Sequence, residues 1–195
     1  LQFSMVPMNL LVDGKTADYI DTGSWSSKAI KEAQKVGKVN IAASTKGDKY
    51  TRIPAPSELK LTPDAVYCHI TSNNTIYGSC WDYIPDTGNV PLVADLSSCI
   101  LSRPIDVSKF ALIYAGAQKN VAPAGLTIVI VREDLLGNVS PITPTMCDYT
   151  INAEAGSMHN TPPCWCIYIC KLVMDWILKT GGLKEREQVN LRKAE

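Results

Sequence analysis

Four short stretches of this 195-residue sequence place chemically able side chains just past apolar runs. They are Thr22-Gly23-Ser24-Trp25, Ser72-Asn73-Asn74-Thr75, Asp95-Leu96-Ser97-Ser98 and Ala115-Gly116-Ala117-Gln118-Lys119. Each has a plain reading when taken singly. Trp25 can pack on a sheet, Thr75 can sit in a turn, Asp95 can cap a helix and Lys119 can be solvated. Together, an aromatic ring, a hydroxyl, an acid and a lysine match what pyridoxal 5'-phosphate requires. That aldehyde must be held by a lysine amine as a Schiff base. A carboxylate keeps its pyridine nitrogen protonated, which makes the ring an electron sink. The flat ring takes an aromatic face, the phenolic oxygen takes a hydroxyl donor, and the phosphate takes backbone amides and polar side chains.

Such stretches converge only if they lie at the same ends of parallel strands, where open α/β sheets bind ligands. Short β-type runs alternate with amphipathic stretches, which predicts an α/β fold with a mainly parallel sheet flanked by helices. Strands are expected at 17–21, 39–43, 65–70, 90–94, 110–114 and 126–131, and residues 1–6 are helix-like. A helix is expected at 26–36, with Ala29, Ile30, Ala33 and Val36 at helical spacing and Gly37 as its stop. Pro54, Pro56 and Pro63 mark an irregular passage, and 71–78 is a polar loop. A strong helix is expected at 165–178, with the stripe Ile169, Leu172, Val173, Trp176 and Ile177 facing inward and Gly181-Gly182 ending it. A last, polar helix starts near Leu183. His69, within a strand-like run, reads as a core or rim histidine, and His159 as solvated.

The motifs carry more than their chemistry. The runs Ala94-Asp95-Leu96-Ser97-Ser98, Leu101-Ser102-Arg103-Pro104-Ile105-Asp106-Val107-Ser108 and Tyr114-Ala115-Gly116-Ala117-Gln118-Lys119-Asn120 closely resemble the phosphoserine aminotransferase family. So do Gln2-Phe3, Ala17-Asp18-Tyr19, Asn74-Thr75 with Gly78, Pro123-Ala124-Gly125 and Asn160-Thr161-Pro162-Pro163. The resemblance covers essentially the whole sequence and implies a partial large domain of the fold-type I, class V transferases that use pyridoxal phosphate. It implies that Lys119 anchors the cofactor, Asp95 pairs with the pyridine nitrogen, Trp25 stacks on the ring, Thr75 bonds the phenolic oxygen and Gln118 contacts the phosphate. Ser97 is a weaker candidate, and Arg103 is expected to pin the loop after Asp95. Asn160 and Thr161 are expected to reach the cofactor of a neighbouring subunit in a homodimer. The implied reaction moves an amino group from L-glutamate to 3-phosphohydroxypyruvate, giving 2-oxoglutarate and O-phospho-L-serine in serine biosynthesis, with a side role in pyridoxine biosynthesis.

The same resemblance assigns residues 1–182 to the cofactor-binding large domain and 183–195 to the start of a helix leading into a small C-terminal domain. The family's Gly-Gly phosphate turn and its substrate-binding arginines fall outside the sequence. The chain therefore reads as a fragment expected to be inactive or nearly so by itself. Ala122 stands where the family usually has glycine, so a methyl group enters the turn after the lysine. A non-catalytic module of the same fold is an alternative. A class V cysteine desulfurase is another, but that family has histidines where this sequence has Gln118 and Trp25.

Composition narrows the field further. Lys and Arg total 19 against 19 Asp and Glu, so the chain lacks the excess positive charge of a sequence-independent nucleic-acid binder. With 46% hydrophobic residues it can bury a sizeable core. No apolar run approaches the about 18 residues a membrane span needs, and the expected location is cytoplasmic. Seven cysteines, an odd number, read as reduced thiols rather than a disulfide framework or a metal site.

Overall fold

The computed structural model describes residues 1–12 and 14–195. Eight strands are present among them: β1 (Thr16–Asp21), β2 (Lys38–Ser44), β3 (Cys68–Thr71), β4 (Asn73–Asn74), β5 (Ser79–Cys80), β6 (Leu92–Asp95), β7 (Leu112–Gly116) and β8 (Thr127–Val131). Six of them form one sheet in the order β2-β1-β3-β6-β7-β8, and β4 pairs with β5 in a small hairpin that starts inside the expected polar loop and ends just past it. Every neighbouring pair in the large sheet is parallel except β7 and β8. The reason is connection length: the stretch from Gly116 to Thr127 is too short for a crossover, which takes a dozen or more residues, but suits a reversal. From β1 the chain adds β2 on one side and β3 on the other, so the direction of strand addition switches there. Crevices at such switch points are where open sheets take ligands.

Alternation along the strands sends side chains to two cores. Tyr19, Tyr67, Val93, Leu112 and Tyr114 face the helices α1 (Gln2–Leu10) and α2 (Ser24–Ala33), meeting Met5, Val6, Leu10, Ala29, Ile30 and Ala33. Ile20, Ile70, Leu92, Ile113 and Trp81 fill the opposite face with Leu96, Ile100 and Phe110. The helices α3 (Tyr149–Glu154), α4 (Cys164–Lys179) and α5 (Gly182–Ala194) complete the chain.

Two helices differ from the sequence expectation. α2 starts at Ser24, because Ser26 Oγ accepts the N–H groups of Thr22 and Gly23, both at 2.9 Å, and donates to Asp21 Oδ1 at 3.0 Å. That early start puts Trp25 in the first turn. α4 buries Cys166, Cys170 and Ile177, whereas Leu172 and Trp176 of the expected stripe are exposed. The inward edge thus combines two small thiols with Ile177, and Cys166 sits against Gly125 at the β7–β8 connection. No described helix is long and apolar enough to cross a membrane.

Candidate active site

The four strand-end stretches do meet, and each is hydrogen-bonded to the next in sheet order. After β1 and β3, Thr22 Oγ1 donates to Asn74 Oδ1 at 3.2 Å and Trp25 Nε1 donates to Thr75 Oγ1 at 3.3 Å. Between the β3 and β6 ends, Asn73 Nδ2 donates to Ser98 Oγ at 3.0 Å. Between β6 and β7, Gly116 N–H donates to Ser97 Oγ at 3.0 Å. Beneath the first loop, the buried Asp21 carboxylate accepts from the hydroxyls of Ser26, Ser27, Ser44 and Tyr50 at 2.8–3.1 Å, which ties α2 to the β1 and β2 ends.

This belt borders a cavity of about 330 Å³ lined by Trp25, Asp95, Gln118 and Lys119, with Thr71, Asn73, Ser97, Ser98, Tyr114 and Thr127. The N-terminal end of α1, through Leu1, Gln2 and Phe3, also lines it. Lys119 Nζ lies 5.1 Å from the centre of the Trp25 ring, within reach of a cation–π attraction. Lys28, exposed on α2, places its amine 4.4 Å from the same ring. Asp95 is 7% exposed, and Ser97 N–H donates to its Oδ1 at 2.8 Å. Burial pushes the Asp95 carboxyl above the usual carboxylate range, while Ser97's hydrogen bonds and the Lys119 charge pull it back. Its Oδ2 receives no hydrogen bond from the described residues.

Thr75 is exposed and joins the site through Trp25. Asn160 and Thr161 are exposed in the passage between α3 and α4 and do not line the cavity. Arg103 donates to the Trp81 carbonyl at 2.7 Å, fastening the loop after Asp95 to the chain just past β5. Ala122 has a negative φ and packs against the core, so the turn after Lys119 accepts its methyl group. His69 is buried, stacks on Tyr19 at 4.8 Å and pairs through Nε2 with Tyr114 Oη at 2.9 Å. Burial holds the imidazole neutral, with its pKa pushed down to about 3. Tyr114 in turn forms part of the cavity wall and meets Phe3 edge-on.

Sequence reasoning passed over Thr71, Tyr114 and the α1 residues. Thr71 and Tyr114 are the register partners of Asp95 on β3 and β7, a relation set by strand pairing that no pattern along one strand reveals. Nothing in the sequence brings the α1 end to this rim.

The residues present fit pyridoxal phosphate. An indole face, a lysine amine beside it, a buried carboxylate with a free oxygen and a helix N-terminus surround one cavity. The model of the family described as aminotransferase class-V matches residues 1–195. The phosphoserine aminotransferase of Desulfatibacillum aliphaticivorans is 56% identical over 196 residues, which span all of this chain and 54% of that protein. That of Pseudomonas putida is 54% identical over 98% of this chain and 53% of its own length. The solved phosphoserine aminotransferase from Bacillus circulans subsp. alkalophilus superposes with a TM-score of 0.96 at 49% identity, over 99% of this chain and 54% of that one. A pyridoxal-phosphate-bound phosphoserine aminotransferase from Trichomonas vaginalis gives 0.89 at 38% identity, over 99% of this chain and 55% of that one. The chain thus spans about half the length of the curated relatives it matches.

Proposed function

Because the chain belongs to the class-V aminotransferase family, we propose that it carries the cofactor-holding residues of a phosphoserine aminotransferase, residues 1–182 being its large domain and 183–195 leading toward a small one. The observation that carries this reading is the single cavity lined by Trp25, Asp95, Gln118 and Lys119, with Thr75 hydrogen-bonded to Trp25 beside it. The reaction proposed for the whole protein is amino transfer from L-glutamate to 3-phosphohydroxypyruvate. Bound pyridoxal phosphate would supply the electron sink that makes the substrate's Cα–H bond acidic.

The side chains divide that work. Lys119 would hold the cofactor through its amine, and the same amine would take up and return the substrate's Cα proton. Asp95 holds a negative charge where the pyridine nitrogen would lie. Trp25 fixes the plane of the ring, and Thr75, held by Trp25 Nε1, offers its hydroxyl to the phenolic oxygen. Gln118 and the first turn of α1 are positioned for a phosphate, favoured by the positive end of the helix dipole. Asn160 and Thr161, exposed and away from the cavity, are assigned to the cofactor of a second copy.

Incubation with pyridoxal phosphate, borohydride reduction and peptide mapping tests the reading directly. The pyridoxyl mass is expected on Lys119, with at least a tenfold loss of total label in Lys119→Ala. Label spread over surface lysines, or none, would overturn the assignment.

A further inference from the structure

Thr71 ends β3, is only 2% exposed and is the register partner of Asp95 across the parallel β3–β6 pair. Parallel strands lie about 4.8 Å apart and register partners leave the sheet on the same face, so the threonine and the carboxylate stand side by side on the cavity wall. The Thr71 Oγ1 atom is sealed from solvent and has no hydrogen-bond partner among the described residues. Buried hydroxyls are nearly always paired, and one that is not asks for an explanation. A threonine hydroxyl has a donor hydrogen that turns freely, and the side chain can move between staggered rotamers. On the neighbouring strand stands an acceptor, the Asp95 carboxylate, whose Oδ1 takes the Ser97 N–H and whose Oδ2 has no geometric hydrogen bond from the described residues.

We propose that Thr71 is a positioning residue for Asp95: with a pyridine ring in the cavity, its hydroxyl donates to the Asp95 carboxylate and holds the free oxygen toward the ring nitrogen. The inference rests on reading the cavity as a pyridoxal-phosphate site. A hydrogen bond to the Asp95 carboxylate would satisfy this buried donor. Thr71→Val keeps the shape and removes the hydroxyl; Thr71→Ser keeps the hydroxyl. A residue that merely supports the fold would lose stability and affinity together when altered. The proposed role separates them.

Melting curves of the ligand-free protein and pyridoxal-phosphate titrations followed by absorbance, on wild type and both variants, make the test. Thr71→Val is expected to melt at or above the wild-type temperature yet bind pyridoxal phosphate about five- to tenfold more weakly. Thr71→Ser is expected to bind within about twofold of wild type. Unchanged affinity in Thr71→Val, or a parallel loss of melting temperature and affinity that serine does not restore, overturns the proposal alone. A wild type that takes no label on Lys119 overturns the functional reading and this inference with it.

Discussion

In the role proposed for Asp95 two demands conflict. A carboxylate beside a protonated ring nitrogen must be ionised and dry, yet burial without a full set of donors penalises the ionised form. Ser97 and the Lys119 charge offset part of that penalty, and the carboxyl still stays above its usual range. The folded state therefore holds the Asp95 proton more tightly than the unfolded chain. Stability contributed by this group is present in acid, falls as pH rises from the ordinary carboxylate value through the raised one, and stays lower above it. Asp95→Asn keeps an acceptor for Ser97 N–H and removes the charge. It should raise the melting temperature of the ligand-free protein at pH 7, with the gain shrinking toward zero below the carboxylate range, while weakening pyridoxal-phosphate binding about tenfold or more. Thermal scans across pH, paired with cofactor titrations, check both signs. Asp95 and Lys119 stood out in the sequence as candidates because their chemistry is specific, and both line the cavity. Tyr114 was not, since an aromatic residue in a buried strand looks alike whether it faces a core or a cavity.

The elements themselves were largely legible, because period-two and helical patterns report which face is buried. What the patterns left out is where one loop touches another. Gly23 shows this. Its backbone is extended, with φ near 165°, a conformation any residue adopts, so nothing local calls for glycine. The requirement comes from across the crevice: a Cβ there would lie 2.9 Å from Asn74 Oδ1 and 3.1 Å from Tyr77 Cδ2. Asn74 is buried and already held by Thr22 and the Ser79 carbonyl, so it cannot retreat cheaply. Gly23→Ala is expected to cost about 1–3 kcal/mol, the range of overpacking in a closed site, and to displace Thr75 with it. Gly116→Ala makes a contrast, because its Cβ would meet the movable end of Gln118 at 2.8 Å. Denaturant unfolding should show a clear loss in the first variant and less than half of it in the second. The stripe on α4 was misjudged for a related reason: helical spacing identifies an apolar face but not which part of it the sheet will cover.

For the whole molecule, the roles proposed for Asn160 and Thr161 require a site shared between copies. Asn160 and Thr161 stand outside the cavity that their own chain forms. If they serve a neighbour, a protein carrying Lys119→Ala mixed with one carrying Asn160→Ala and Thr161→Ala should regain cofactor binding through hybrid dimers. In those dimers one cavity has an intact lysine and an intact partner loop. Up to about half of the dimers in an equal mixture that exchanges freely would be hybrids, and label on Lys119 rising above that of the Asn160/Thr161 variant alone is the expected sign. No rise after demonstrated exchange would show that the two residues act elsewhere. The belt of hydrogen bonds around the cavity has its own consequence for how the protein matures. Its links join residues 52, 50, 25 and 19 positions apart in the chain, so no early, local hairpin or helix can assemble any part of it. The pocket exists only once the long-range strand pairings are complete, and a newly made chain cannot capture its cofactor partway through folding. Cofactor capture thus serves as an inspection stamp, given only to molecules that have finished.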